Sequence, residues 1–303
     1  MLVWLFLFWV IVIRGDNVID LDINIEGAYD IRSVRGGDVN EAFKVYTDKG
    51  PRFLLIQRGG DNNFFQAEIE GLKLFEKNGV NAPRVLDSGV SKEGAYLLLD
   101  YIEEGRWQDQ KDLARELKKV HRIKSPNGKF GFDFAYRGSS ISFSNAFKDS
   151  WREVFLEERL DKLRDELVGD KIWSSEDLAT YEKTREVIDT YLKRRESLPV
   201  LLHGDLWPGN AMFSIKGDAY LFDPAPLYGD WEFDIGVSTV FSGFDDDFYR
   251  AYLQDIDKDP ERAMRLEFYR LYLLLVHLHK FGNMYRSSVD LSMEKILAKS
   301  MEK

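Results

Sequence analysis

Between residues 28 and 100 apolar and polar positions alternate in short runs. This period of two predicts strands over 29–34, 42–47, 52–57 and 95–100. One helix is expected among them, over 64–78, because Ile69, Leu72, Leu74 and Phe75 recur at helical spacing and Gly79 supplies a stop. Beyond Tyr101 the period lengthens and helices are predicted over 108–123, 144–168, 175–197, 246–254 and 260–285. Within the last of these, 269–278 is apolar on nearly every side, as expected of a helix at the centre of a lobe. His277 and His279 are accordingly expected to be packed or rim histidines rather than ligands. Two short apolar runs, 198–202 and 219–222, read as strands. The fold class predicted is α+β and two-lobed, like a protein kinase: residues 16–101 form a small β-rich lobe and 102–303 a larger helical lobe, with a cleft between them.

Residues 1–15 stand apart. Leu2 to Ile13 form a continuous apolar run that is shorter than a membrane-spanning helix and lacks the basic start and small-residue cleavage site of a signal peptide. The run reads as a segment docked on the first lobe, a surface anchor, or residues upstream of the true start; docking or a mis-assigned start fits better than anchoring. The next methionine is Met212, so a later start would need a different codon.

Composition narrows the chemistry. A chain of 303 residues with 44% hydrophobic and 31% charged content can build two lobes, and a formal charge of −10 without a long basic stretch argues against nucleic-acid binding. With no cysteine there is no disulfide framework, thiolate nucleophile or Cys-based metal site, which permits a reducing, cytoplasmic setting. The sequence is silent on oligomeric state.

The most informative segment is Leu202-His203-Gly204-Asp205-Leu206-Trp207-Pro208-Gly209-Asn210, followed by Phe222-Asp223-Pro224-Ala225. Transfer of a phosphoryl group needs a carboxylate beside the acceptor hydroxyl and oxygen ligands for Mg²⁺. Asp205, Asn210 and Asp223 supply them, and the Asp-to-Asn spacing equals that of protein kinase catalytic loops. The plainer alternative is that all three merely form turns; the ordered set argues against it.

Further motifs accompany this set: Gly36-Gly37-Asp38-Val39-Asn40-Glu41-Ala42, Phe130-Gly131-Phe132-Asp133-Phe134, Tyr228-Gly229-Asp230, and a segment from Leu278 ending in Phe281-Gly282. With them the chain resembles the kinase-like small-molecule phosphotransferases, and most of all the fructosamine (ketosamine) kinase family. The Leu-Trp-x-Gly-Asn and Asp-Pro-Ala-x-x-Tyr-Gly pieces are the specific ones.

The resemblance implies ATP- and Mg²⁺-dependent phosphorylation of the sugar part of a free or protein-bound ketosamine, plausibly at its 3-hydroxyl, as a step in deglycation. It implies that Asp205 orients or deprotonates the acceptor and that Asn210 and Asp223 bind the metal. Gly36 and Gly37 would cover the nucleotide, Asp100 and Ile102 would offer main-chain groups to the adenine, and Glu68 matches the helix glutamate that pairs with a strand lysine. Trp207, Asp133, Trp151, Arg159 and Trp231 are expected near the acceptor. Trp207 offers an apolar face to a sugar, and Trp151, Phe155 and Arg159 recur at four-residue spacing; core packing is the plainer reading of that face.

Two positions depart from the family pattern. Leu55 stands where the phosphate-anchoring lysine is expected, with Lys44 on the preceding strand, or Arg58 after a register shift, as replacements. Trp231 stands where relatives commonly carry arginine, which bears on substrate choice. Other readings therefore remain open: a kinase for an aminoglycoside, choline or free sugar, or a nucleotide-binding pseudokinase.

Overall fold

The structure is a computed structural model and describes residues 10–14, 17–21, 23–34, 40–138 and 141–301. The chain separates into two compact units, Met1–Glu76 with Ala82–Glu103, and Lys77–Asn81 with Glu104–Lys303.

In the first unit β1 (Val10–Arg14) and β2 (Asn17–Leu21) form a hairpin, and β1 lies next to β3. Of the apolar N-terminal run, only its last residues, from Val10 on, fall within the described chain. A five-stranded antiparallel sheet follows, built from β3 (Ala28–Val34), β4 (Glu41–Thr47), β5 (Gly50–Arg58), β6 (Val85–Ser91) and β7 (Gly94–Asp100) in the order β3-β4-β5-β7-β6. Helix α1 (Gln66–Lys77) joins β5 to β6, and Gly79, at φ 68°, turns the chain after it in the left-handed region that glycine favours.

Because side chains alternate across a strand, the sheet has two distinct faces. Ile31, Phe43, Val45, Leu54, Ile56 and Leu98 form one face and bury Ile23 and Ile25. Ala42, Lys44, Leu55, Leu97 and Leu99 lie on the other by alternation, with Ala42 opposite Leu55 and Lys44 opposite Phe53.

The second unit is mainly helical. Its elements are α2 (Lys111–His121), β8 (Tyr136–Arg137), β9 (Ser142–Phe143), α3 (Trp151–Phe155), α4 (Lys162–Gly169), α5 (Ser175–Lys193), β10 (Val200–Leu202), β11 (Ala211–Phe213), β12 (Ala219–Leu221), β13 (Leu227–Gly229), α6 (Glu232–Ser238), α7 (Asp246–Leu253), α8 (Arg262–Phe281) and α9 (Arg286–Met301). A π-helical turn, Leu156–Asp161, sits between α3 and α4. The helix expected over 144–168 starts only at Trp151, because Ser150 and Glu153 form a capping box there.

Helix α8 is the hub. Tyr269 and Tyr272 meet Phe155 and Phe233 in an aromatic core that also holds Trp151. Gly236 lets α6 approach α8 closely; a Cβ there would stand 2.6 Å from that of Tyr269. Among the described residues no helix is long and apolar enough to cross a membrane.

Candidate active site

Two hairpin-like pairings gather the motif residues. Strand β10 pairs with β13, so the chain leaves Leu202 into His203 beside the segment that carries Pro224 and Ala225. The Ala225 amide donates to the His203 carbonyl at 2.8 Å. Gly204, at φ 82°, passes so close that a Cβ would lie 1.8 Å from the Ala225 carbonyl oxygen, which explains the glycine between His203 and Asp205. Strands β11 and β12 pair with Ala211 opposite Leu221, and the Phe222 amide donates to the Asn210 carbonyl. Asn210 and Asp223 thus enter and leave the same hairpin. Asp223 sits at φ 53°, a left-handed conformation uncommon outside glycine and a recurrent mark of functional sites.

Asn210 donates from its side-chain nitrogen to the Asp205 carbonyl at 2.9 Å and to Asp205 Oδ2 at 3.0 Å. Its nitrogen engaged, the amide keeps its oxygen as a remaining ligand atom. Burial, and then the charge of Asp223, push the Asp205 carboxyl up to about 7; the Asn210 hydrogen bond opposes the push, and the charge of Lys280 opposes it further. Loss of hydration among the neighbouring groups pushes the Asp223 carboxyl up as well.

The loop is braced from within. Fully buried Asp234, at the start of α6, accepts hydrogen bonds from the His203 amide at 2.7 Å and the Gly204 amide at 2.9 Å, and contacts His121 Nε2 at 2.9 Å. His203 Nε2 faces the Phe222 carbonyl at 3.0 Å, and its Nδ1 faces the Asp205 amide at 3.4 Å. Burial holds its imidazole down to about 4, so it is neutral and donates from Nε2.

Trp207 lies on this loop with its ring 38% exposed, edge-to-face with Phe241 at 5.9 Å. Other expected acceptor residues lie elsewhere. Trp151 is buried in the aromatic core, donates to the Tyr269 hydroxyl at 3.0 Å, and lines a cavity of about 240 Å³ with Phe130, Arg152 and Arg195 rather than joining Asp205. Trp231 packs on Tyr252 with Arg262 over its ring, as scaffold. Asp133 is exposed on its loop and raises the phenol of Tyr228, with burial the larger cause. Arg159 is buried, and its guanidinium is taken by the Ser144 carbonyl, the Glu158 carbonyl and Asn145 Oδ1 while resting on Phe143. It secures the β9 end rather than facing an acceptor.

Two residues near the site escaped sequence reasoning. Burial foremost, then the charge of Asp205, raises Tyr136; Tyr272 is raised by burial and by Asp205, with Arg159 opposing. Tyr136 stacks on Phe143, which in turn meets Tyr272. Isolated tyrosines on a two-residue strand and within the apolar stretch of a helix carry no sequence signal that separates them from core.

In the first unit, Gly36 and Gly37 lie outside the described residues. Glu68 is in the first turn of α1. Lys44 does not occupy the level of Leu55: it is displaced toward the β4–β5 turn, and its ammonium lies over the rings of Tyr101 at 3.9 Å and Tyr46 at 5.2 Å. Among the described residues it makes no ion pair, and it lies on the same sheet face as Leu55, two residues along β4 from the position opposite it. Arg58 is on the opposite face, ion-paired at the surface with Glu41 and Glu93. Asp100 pairs with Arg84 and Arg52, and its amide donates to the Arg84 carbonyl, so that one of its two main-chain groups is engaged within the sheet. Ile102 follows β7, outside any helix or strand.

The fructosamine kinase family model matches residues 21–299. The chain belongs to the fructosamine kinase family. A Staphylococcus aureus protein named probable ketoamine kinase is 50% identical over 268 residues, 88% of this chain and 93% of that one. A protein-ribulosamine 3-kinase of Arabidopsis thaliana is 32% identical over 85% of this chain and 79% of its own. A crystal structure of a Haemophilus somnus protein assigned to the fructosamine-3-kinases has the same fold, with a TM-score of 0.80 over 89% of this chain and 92% of that chain at 23% identity. As a fructosamine kinase family member the chain is a phosphotransferase with an alcohol acceptor.

Proposed function

We propose that this fructosamine kinase family member transfers the γ-phosphoryl group of ATP to the 3-hydroxyl of a ketosamine, either free or attached to a protein lysine. The observation that carries the reading is the Asp205–Asn210–Asp223 group: one carboxylate is held by an amide and raised by burial and then by its neighbour, and oxygen donors accompany it.

Asp205 is the acceptor-facing base. With its carboxyl up to about 7 it is poised to take a proton near neutral pH, although loose phosphoryl transition states require little proton abstraction, so orienting the hydroxyl is its larger task. Asn210 and Asp223 fit Mg²⁺ because they offer hard oxygen donors and because the crowding of Asp205 by Asp223 is what a divalent cation relieves. Among the described residues no group of three or more His, Asp or Glu has metal-holding geometry, so the ion's other ligands would come from nucleotide phosphates and water. When bound, the cation neutralises charge on the transferred group. Trp207 lies against the sugar, and a role of Gly36 and Gly37 toward the phosphates rests on the family resemblance alone. Glu68 belongs to the nucleotide side, and the main chain of Ile102 to the adenine.

The missing strand lysine motivates a pseudokinase reading, but an intact Asp205, Asn210 and Asp223 set and a 50% identical relative named as a kinase favour catalysis. NMR of the product formed from a ribulose-derived lysine adduct tests the regiochemistry. Phosphorus coupling to the proton on C3 is expected; coupling to another position would refute the assignment.

A further inference from the structure

Trp207 is the inner end of a continuous aromatic row. Its ring meets Phe241 at 5.9 Å, Phe241 meets His277 at 4.9 Å, and His277 meets Phe281 at 5.4 Å and Tyr285 at 5.0 Å. The row draws on the catalytic loop, the segment after α6, the end of α8 and the 3₁₀ turn Gly282–Tyr285. It is not a core: Trp207 is 38% exposed, Phe281 40% and neighbouring Met284 76%. Single exposed apolar side chains are ordinary, but an unbroken row of rings beginning two residues from a reactive carboxylate marks a ligand surface.

Local backbone features build it. A Cβ on Gly209 would lie 2.1 Å from the Trp207 ring, so glycine is what lets the indole lie over this loop. Gly282, at φ 72°, ends α8 and sends the chain into the turn that brings Tyr285 back to within 6.0 Å of Phe281. The end of α8 is also electrically close to the reaction centre, since the charge of Lys280, whose ammonium lies 4.8 Å from the Phe281 ring centroid, acts on Asp205.

We propose that this aromatic row, from Trp207 to Phe281 and Tyr285, is the subsite for the amine-linked side of the acceptor, selecting ketosamines whose nitrogen carries an extended apolar substituent. The inference rests on the ketosamine reading above and adds what the enzyme recognises beyond the sugar. Only C3, C2 and C1 separate the 3-oxygen from the nitrogen of a ketosamine, so bond lengths near 1.5 Å keep the two within about 5 Å of each other. An acceptor with its 3-hydroxyl at Asp205 would hold its ammonium within that reach of the loop that carries Trp207, whose ring face attracts a cation. The remaining substituent, such as the methylene stem of a lysine, runs outward over Phe241, Phe281 and Tyr285. Each methylene taken about halfway out of water there lowers KM by about twofold.

The experiment uses the full chain with ATP, Mg²⁺ and ribulosamines made from methylamine, butylamine and benzylamine. Steady-state kinetics are compared for the wild type, Phe281→Ala and Tyr285→Ala. The expected result is a wild-type KM about tenfold lower for the butyl and benzyl adducts than for the methyl adduct, and a collapse of that gradient in both variants, the methyl adduct being least affected. A flat gradient in the wild type, or a gradient that survives in both variants, would overturn the subsite while leaving the ketosamine reading standing. Failure of every adduct to turn over would overturn both, and is distinguished by the absence of wild-type activity.

Discussion

Asp205 is held in a state that costs stability and prepares chemistry. Its folded value of about 7 lies above the 3.8 of an ordinary aspartate, so the folded protein retains a proton that the unfolded chain releases, and stability falls as pH rises from about 4 through 7. Asp205→Asn removes this titration. It is expected to make the metal-free protein more stable than wild type by about 1–3 kcal/mol at pH 8, with the gain vanishing toward pH 4, as read from thermal unfolding across pH. Absence of a pH-dependent gain would mean that Asp205 is not crowded. At this scale the chain was legible where chemistry fixes residue type and spacing, as at Asp205, Asn210 and Asp223. It was misleading where a ring or a cation could serve either a pocket or a core. Trp151 and Arg159 share the spacing of a helical face, but that face turns inward, and the guanidinium is saturated by carbonyls and Asn145. Lys44 was read from its place in sequence, whereas the register of β4 against β5 sets it level with Phe53 and not with Leu55.

The elements that sequence periodicity missed are those whose pattern is hidden by buried charge or weak burial. Helix α6 carries Glu232 and Asp234 fully buried, so it reads as a polar loop, yet those carboxylates tie it down. Glu232 pairs with Arg265 at 2.6 Å and Arg262 at 3.2 Å, and Asp230 pairs with Arg195 at 3.1 Å, which fastens α6 to α8 while Asp234 braces the His203–Gly204 loop. Removing one partner of such a buried network leaves cations without compensation. Glu232→Ala should cost about 3–5 kcal/mol and lower Tm by roughly 10 °C, measurable by calorimetry. A change below 1 kcal/mol would show that the network does not hold the helix. Helix α9 did leave a trace, since Val289, Met293 and Ile296 fall at helical spacing and are buried, but its other positions dilute the stripe. Strand β6 is an edge strand whose exposed residues and register shift near Val85 give no clean alternation.

At the scale of the whole molecule, the two compact units differ in content: a five-stranded sheet with one helix in the first, and the Asp205 loop, the proposed metal ligands and the aromatic row all within the second. The predicted fold class was legible because the change from period two to helical period falls near residue 101, close to the boundary of the first unit at Glu103. How phosphates are held without the strand lysine was not legible, because the level of Lys44 is set by the register of β4 against β5 and not by its place in sequence. The proposed reaction is phosphoryl transfer to a ketosamine with Asp205 as its catalytic carboxylate. Its most direct test is Mg²⁺-dependent ADP release by the purified protein with ribulose- and fructose-derived lysine adducts, wild type beside Asp205→Asn. The expected result is adduct-stimulated release that falls by about 10²-fold or more in the variant; ATP binding without adduct-stimulated release, or equal release by the variant, would contradict it.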